Sequence, residues 1–199
     1  MKKIPTLFQR IYENHKVVGI ESIPTPGCEK VLDGLCIPTV KYDGSCCAII
    51  DKELYKRYDC KRGRTAPDGA IPCCAPDPVT GHWPHWVKCD AGNPADQWFF
   101  RALHNTIRID AYVFYDGTYE AIGPHFQGNP YNLNEDILIR HGDDEIKDLS
   151  EIPDFLELKY YLREHNIEGI VWWDADGPVC KLKRTDFGYD WPIKEGANE

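Results

Sequence analysis

The sequence predicts an α+β fold in which antiparallel strands outnumber helices. Short apolar and β-branched segments alternate with turn signals such as Asp43-Gly44 and Asp116-Gly117, a pattern typical of β-hairpins. Helical patterning is confined to residues 95–105 and 151–165, where apolar side chains recur with the period of an α-helix. With 199 residues, 42% of them hydrophobic, the chain has the size and composition of a single domain, residues 1–199, with its own core.

The first half of the chain predicts strands and one long loop. We expect a short strand at residues 17–20 and a hairpin formed by residues 45–50 and 53–59. Residues 62–95 are rich in Gly, Pro, Cys and Trp, and we interpret them as a loop insertion. A loop of this length in a compact domain is usually functional or packed on itself. We expect its part from residue 72 to 86 to be a folded surface loop anchored by Trp83 and Trp86.

The second half predicts both helices and two further hairpins. A short helix at residues 95–105 precedes antiparallel strands at 106–115 and 118–122. The best helix covers residues 151–165, with Phe155, Leu158 and Leu162 on one face. Ser150 is its candidate cap, and Asn166 is its candidate end. The last hairpin joins residues 170–173 and 179–182 through the turn at 174–177.

Charge and cysteine content restrict the class of protein. The net charge of −9 argues against general affinity for nucleic acid, so phosphate contacts must come from local basic clusters. These clusters are Lys56, Arg57, Lys61, Arg62 and Arg64, and then Lys181, Lys183 and Arg184. The nine cysteines include two vicinal pairs, which rarely build a disulfide framework, and we therefore expect reduced thiols.

The N-terminal sequence predicts a cytoplasmic protein. Two lysines follow Met1, but no apolar segment of a signal peptide comes after them. No apolar run approaches the roughly 18 residues of a membrane span. We therefore expect no membrane contact.

Lys41 stands out within the segment Lys41-Tyr42-Asp43-Gly44. It follows an apolar stretch and precedes a turn signal, an unusual position for a solvated charge. Lysine is a nucleophile only as the neutral amine, and its reference pKa is about 10.4. Desolvation or nearby positive charge favours the neutral amine. Two interpretations remain open from this segment alone, a nucleophile or a surface lysine beside a hairpin turn.

Four further pieces follow Lys41 in the chain. They are Tyr55 to Arg62, Tyr119-Glu120-Ala121-Ile122-Gly123-Pro124 continuing to Tyr131, Glu168-Gly169-Ile170-Val171-Trp172, and Lys181-Leu182-Lys183-Arg184. Lys181 and Lys183 alternate on a predicted strand and therefore point to one face. Two ammonium groups on one face repel each other unless water or an anion separates them, and a phosphate is the natural anion.

In order and spacing, these pieces resemble the covalent nucleotidyltransferase superfamily of ATP-dependent ligases and capping enzymes, with RNA ligases the most similar group. The resemblance covers roughly residues 38–190 and implies an ATP-grasp-like DNA/RNA ligase catalytic domain, with antiparallel sheets around an ATP cleft. Such proteins usually carry a second module, often an OB-fold. About fifteen residues follow Arg184, so we expect no OB-fold in this chain.

The resemblance implies ATP-dependent ligation of RNA ends that bear a 5′-phosphate and a 3′-hydroxyl, and it implies a role in RNA repair. Lys41 would attack the α-phosphorus of ATP and carry AMP as a lysyl-adenylate. Lys181 and Lys183 would hold the α-phosphate and lower the pKa of Lys41. Glu168 would bind Mg²⁺ or Mn²⁺.

The resemblance also implies nucleotide contacts for five other residues. Glu120 would accept hydrogen bonds from the ribose hydroxyls, and Asp43 and Gly44 would let the nucleotide approach the backbone. Arg57 is the first candidate for a ribose or 5′-phosphate contact, and Lys61 is its competitor.

Simpler interpretations exist for single residues. Glu120 alone would be a solvated strand residue, Glu168 could end a helical region, and Lys181 and Lys183 could protect an edge strand. For the whole chain, a DNA nick ligase, an RNA-capping guanylyltransferase, or a non-catalytic module binding nucleic acid or zinc are the alternatives. No sequence feature identifies a protein partner.

The cysteine-rich middle offers possible zinc ligands but not their usual spacing. The candidates are Cys60, Cys73, Cys74, His82, His85 and Cys89. Structural zinc sites usually present paired ligands such as Cys-x₂-Cys. Because Cys73 and Cys74 are adjacent and no such pair occurs here, we do not expect zinc at these residues.

Overall fold

The computed structural model describes residues 3–109 and 115–193, without the side chain of Ile109. The chain forms two compact units. The central unit is Asp43–His141 together with Lys3, and the flanking unit is Ile4–Tyr42 together with residues 142–193. The flanking unit is therefore assembled from two stretches that are far apart in sequence.

Strands outnumber helices, and every strand pair in the sheets is antiparallel, which confirms the predicted α+β class. The strands are β1 (Phe8–Glu13), β2 (Lys16–Pro24), β3 (Ile37–Lys41), β4 (Ser45–Ile50), β5 (Glu53–Cys60), β6 (Ile71–Pro72), β7 (Trp83–Lys88), β8 (Gly117–Ile122), β9 (Ile137–Arg140), β10 (Gly169–Asp174) and β11 (Gly177–Lys183). The helices are α1 (Glu29–Leu32), α2 (Gln97–Ile109), α3 (Phe155–Glu164) and a 3-10 helix, Arg184–Phe187. Within the described ranges, none of these helices combines the length and the apolar character needed to cross a membrane.

The central unit is built on a six-stranded sheet with the order β6-β7-β5-β4-β8-β9. Successive side chains of a strand point to opposite faces, and one face of this sheet forms an apolar core with α2. Its buried members are Cys47, Ile49, Leu54, Cys89, Ala102, Tyr119, Ala121, Phe126 and Leu138. The other face is left for polar side chains.

The flanking unit contains a three-stranded sheet with the order β11-β10-β3 and the hairpin β1-β2. Helix α3 contributes Leu158 and Leu162 to a core that includes Ile170, Trp172 and Leu182. Burial of these large side chains is the main favourable term that holds β10 and β11 in place.

Helix α3 begins four residues later than the pattern predicts. The predicted start at residue 151 is wrong because Pro153 disfavours helical geometry at the residue before it. The cap is Asp154, whose Oδ1 accepts the backbone N–H of Glu157 at 2.8 Å. Ser150 instead donates its hydroxyl to the Glu157 carboxylate at 3.0 Å.

Two segments of the central unit differ from the sequence prediction. Residues 106–109 belong to α2 and not to a strand, while residues 110–114 of that predicted strand lie outside the described residues. The cysteine-rich stretch contains β7, a strand that pairs with β5, and Trp86 is only 6% exposed in it. The hairpin 45–50/53–59 and the strand at 118–122 are confirmed as β4-β5 and β8.

Candidate active site

The register of the flanking sheet brings Lys41, Glu168 and Lys183 together. Gly169, the first residue of β10, lies opposite Lys41 of β3 on one side and opposite Lys183 of β11 on the other. Glu168 precedes it and is only 4% exposed. Its Oε1 forms an ion pair with Lys183 Nζ at 2.5 Å, and its Oε2 forms a second ion pair with Lys41 Nζ. One buried carboxylate is therefore shared by two ammonium groups.

Gly169 is required by the close approach of β10 and β11. A Cβ at this position would lie 2.2 Å from the carbonyl oxygen of Leu182 and 2.9 Å from the Cα of Lys183. Neither atom belongs to a flexible side chain, so a larger residue would push the strands apart. The glycine that follows Glu168 thus keeps the carboxylate within reach of both lysines.

Lys181 lies two residues before Lys183 on β11, so both side chains point to one face. Lys181 is half-buried. Burial lowers its pKa to about 8, and the charges of Lys41, Lys183 and Arg10 act in the same direction. The site therefore concentrates positive charge around a partly desolvated amine, which favours a bound anion.

The backbone at Lys181 is already paired with the N-terminal stretch. Its N–H donates to Pro5 O at 3.0 Å, and its carbonyl accepts from Leu7 N at 2.8 Å. Because the sheet edge is covered at this point, the interpretation of Lys181 as a charge that protects an exposed edge is not supported.

Arg10 is a charged member of this cluster that sequence reasoning missed. Its Nη2 contacts Asp186 Oδ1 at 3.0 Å, and Asp186 Oδ2 accepts the backbone N–H of Lys183 at 2.9 Å. Asp186 is buried. Arg10 and Asp186 are 176 residues apart, and neither lies in a local motif that could have indicated the pair.

In the central unit, the strand register places Arg57, Cys46 and Glu120 in one row across β5, β4 and β8. This row lies on the sheet face opposite the apolar core. Glu120 Oε1 accepts the backbone N–H of Gly44 at 3.1 Å, and its Oε2 lies 3.0 Å from Nε2 of His141. Glu120 is thus a fixed, half-buried carboxylate and not the solvated strand residue considered from sequence alone.

Electrostatics in this row disfavour a free thiolate. Burial, and then the carboxylate of Glu120, raise the pKa of the Cys46 thiol to about 12, against the opposing charge of Arg57. In the unliganded chain, Cys46 is therefore a neutral thiol at physiological pH.

The segment Asp43-Gly44 is shaped by close packing. A Cβ at Gly44 would lie 2.2 Å from the carbonyl oxygen of Ala121, so only glycine fits between β4 and β8. The backbone N–H of Asp43 donates to the hydroxyl of Tyr131 at 2.6 Å. Tyr131 is the last residue of the third piece of sequence that carries the resemblance. Its contact with Asp43 was not predicted.

The first basic cluster does not form one patch. Arg57 points to the polar face, where its Nε donates to Asp59 at 2.8 Å, whereas Lys56 points to the opposite face and pairs with buried Asp96. Alternation along β5 explains the separation. Lys61 follows β5 and is exposed, so of the two competing candidates only Arg57 shares a row with Glu120.

The Cys/His candidates between residues 60 and 89 provide no group of three converging ligand atoms in the described ranges, 3–109 and 115–193. One such group occurs in these ranges, and its members are Cys46, Glu120 and His141.

Comparison with known proteins agrees with the resemblance found in the motifs. The model of a family described as RNA ligase 1 matches residues 102–198. RNA ligase 1 of Pongo abelii is 25% identical over 256 aligned residues, covering 94% of this chain and 78% of that protein. RNA ligase 1 of Mus musculus is 26% identical over 175 residues, which cover 75% of this chain and 49% of that protein.

The chain is therefore similar to RNA ligases in the family model and in these relatives. A shorter match, to RNA ligase 1 of Rattus norvegicus, is 35% identical over 85 residues and covers 39% of this chain and 26% of that protein. The chain spans about half the length of the Mus musculus relative. Glu120, Glu168, Lys181 and Lys183 lie within the range of the family model, and Lys41 and Arg57 precede it.

Proposed function

We propose that this chain is an ATP-dependent RNA ligase that joins 5′-phosphate and 3′-hydroxyl RNA ends in RNA repair. The observation that carries the proposal is the surrounding of Lys41. This lysine shares the carboxylate of Glu168 with Lys183, and Lys181 beside it has a pKa lowered to about 8. A nucleophilic lysine and two anion-holding lysines are the groups that nucleotidyl transfer to an amine requires.

In the proposed first step, the neutral amine of Lys41 attacks the α-phosphorus of ATP. An N–P bond forms, the P–O bond to pyrophosphate breaks, and the proton of the amine passes to solvent. Lys181 and Lys183 hold the α-phosphate oxygens and neutralise charge that develops on them. AMP then moves to the RNA 5′-phosphate, and the 3′-hydroxyl displaces it to form the phosphodiester bond.

The residues around Lys41 fit a magnesium or manganese ion. Mg²⁺ in proteins is commonly held by one or two carboxylates together with substrate phosphates, and Glu168 supplies one buried carboxylate. A bound ion would neutralise phosphate charge and help pyrophosphate leave. The role of Glu168 in this unit is then to hold the ion and to orient the two lysines.

For the central unit, we propose nucleotide contacts at the polar row and at the turn beside it. Glu120 has two carboxylate oxygens suited to ribose hydroxyls, and Arg57 in the same row offers a guanidinium for a phosphate or ribose oxygen. Asp43 and Gly44 would let the nucleotide approach the backbone, whereas exposed Lys61 remains a weaker candidate for the phosphate contact.

The test is covalent labelling. We would incubate the full chain with α-labelled ATP and Mg²⁺ and measure its intact mass. One AMP adduct is expected, absent in Lys41→Ala and retained in the matched control Lys30→Ala, because Lys30 pairs with Asp174 in the same unit. An unmodified wild-type chain would contradict the proposal, and a label obtained only from GTP would indicate a guanylyltransferase.

The polynucleotide is tested by sealing. Nicked duplexes and single strands of RNA and DNA, all with a 5′-phosphate and a 3′-hydroxyl, would be offered to the adenylated chain. Sealing of RNA ends is expected, and the product should be lost after phosphatase treatment of the 5′ ends. Sealing restricted to DNA nicks would replace the RNA ligase proposal by a DNA ligase.

A further inference from the structure

We propose that Cys46, Glu120 and His141 form a three-ligand site for a divalent transition-metal cation such as Zn²⁺. The thiol, carboxylate and imidazole atoms of these residues all lie within 4.8 Å of one another. Each residue is half-buried on the polar face of the central sheet. The set offers one sulfur, one nitrogen and one oxygen ligand, and a solvent molecule would complete a tetrahedral site.

The sheet register explains why the three side chains converge. Cys46 lies opposite Glu120 in the β4-β8 pair, so both point to the same face. The backbone N–H of His141 donates to Thr118 O at 3.0 Å, which extends the β8-β9 pairing by one residue. His141 and Glu120 therefore reach the same face from neighbouring strands.

The remaining polar atoms of two ligands are already fixed by other groups. The backbone N–H of Gly44 donates to Glu120 Oε1 at 3.1 Å, and His141 Nδ1 lies 3.0 Å from the hydroxyl oxygen of Thr118. These contacts leave Glu120 Oε2 and His141 Nε2 directed at each other, 3.0 Å apart. Partners of this kind orient the ligands in established metal sites.

The Glu120–His141 contact requires either a hydrogen on Nε2 or a metal ion between the two atoms. A carboxylate oxygen accepts only, so Nε2 either carries the hydrogen of the neutral ring, with Nδ1 accepting from the Thr118 hydroxyl, or offers its lone pair to a metal. Because the thiol of Cys46 belongs to the same group, a cation with affinity for sulfur has a third ligand that a proton cannot use.

The ligand chemistry selects the ion. Thiolate and imidazole favour Zn²⁺ over Mg²⁺ or Ca²⁺, which prefer oxygen ligands. On binding, the S–H bond of Cys46 breaks, a metal–sulfur bond forms and the proton passes to solvent. The thiolate and the carboxylate then balance the charge of the ion. Arg57 lies in the same row, but Asp59 pairs with it at 2.8 Å and limits its repulsion of the cation.

Site occupancy has a consequence that rests on the proposed function. Glu120 is also the proposed ribose contact, so a bound zinc ion and the nucleotide would compete for one carboxylate. Zinc is then expected to inhibit adduct formation in wild type and to inhibit Cys46→Ser less. Metal binding is measured without nucleotide, so a failure of the ligase proposal and a failure of the metal site give different results.

The experiment is a titration of the reduced full chain with Co²⁺, whose absorption reports thiolate ligation. Wild type is expected to bind one equivalent with a sulfur-to-metal charge-transfer band, and one equivalent of Zn²⁺ should remove that band. Cys46→Ser should lose the band, and His141→Asn should weaken binding at least tenfold. The controls Cys36→Ser and His104→Asn should bind as wild type does.

A second variant separates ligation from folding. His141→Cys replaces the imidazole by another metal ligand. In contrast to His141→Asn, it is expected to bind one equivalent of Co²⁺ with a stronger charge-transfer band, because a second thiolate coordinates the ion. A band that persists in Cys46→Ser would overturn the proposal. Failure of wild type to saturate near one equivalent, or of His141→Cys to show a stronger band, would overturn it equally.

Discussion

Replacing Glu168 by glutamine removes one negative charge and almost no volume. In the folded protein this carboxylate accepts hydrogen bonds from Lys41 and Lys183 through its two oxygens. The amide of glutamine can accept from one ammonium group only, and it leaves two positive charges close together. The variant should therefore destabilise the flanking unit as well as impair the proposed chemistry.

The size of the effect follows from burial. A hydrogen bond between charged groups contributes roughly 1.5–3 kcal/mol, but the side chains of Lys41 and Lys183 are 21% and 30% exposed and stay partly solvated. We therefore expect Glu168→Gln to lower the free energy of unfolding by about 1.5–2 kcal/mol, the low end of this range. Such a loss is a large part of the roughly 5–15 kcal/mol that stabilises a typical domain.

The assay is urea unfolding combined with hydrogen exchange of β10 and β11, which localises the loss to the flanking unit. The matched control is Glu164→Gln, because the ion pair of Glu164 with Arg163 is more than half exposed and should not contribute measurably. A second change, Lys183→Met in the Glu168→Gln background, should recover part of the stability. If Glu168→Gln is as stable as wild type, the carboxylate does not hold these lysines and the reasoning fails.

Three further predictions follow from the site. Because the pKa of Lys181 is about 8 in the folded chain against 10.5 ordinarily, the unfolded state binds more protons between these values, so the free energy of unfolding should rise with pH in that window. Lys181→Met should remove the rise and be the more stable protein at pH 7, as pH-dependent melting would show. Gly169→Ala should cost about 1–3 kcal/mol through strand separation, whereas Gly19→Ala, with no atom closer than 3.9 Å, should cost less. Tyr131→Phe should cost about 1 kcal/mol and accelerate amide exchange at Asp43; unchanged exchange would refute that contact.

Local patterns predicted part of the geometry around the candidate site. The alternation Lys181-Leu182-Lys183 predicts a strand with both lysines on one face, and the structure confirms that strand as β11. The resemblance implied that Gly44 lets a nucleotide approach the backbone, but the close packing of Gly44 and Gly169 against neighbouring carbonyl groups was not predicted. The roles of Lys41 and Glu168 were assigned by resemblance, since 127 residues separate them and no local rule could pair them.

The incorrect prediction at residues 106–109 has a tertiary cause. Thr106 and its β-branched neighbours favour a strand, but the side chains of Asn105 and Thr106 bind the backbone of β9 and of the residue before it. Asn105 Nδ2 donates to Asp136 O at 3.0 Å, and Leu138 N donates to Thr106 Oγ1 at 2.8 Å. These contacts lie about 30 residues apart in sequence and override the weak local preference.

The division of the chain has a consequence for synthesis on the ribosome. Apart from Lys3, the central unit is the continuous stretch 43–141, whereas the flanking unit needs both the stretch before residue 43 and the stretch after residue 141. Because translation proceeds from the N-terminus, Lys41 emerges long before Glu168 and Lys181. A nascent chain therefore carries the lysine without the carboxylate and cations that surround it, and this environment is completed only after Lys183 has been synthesised.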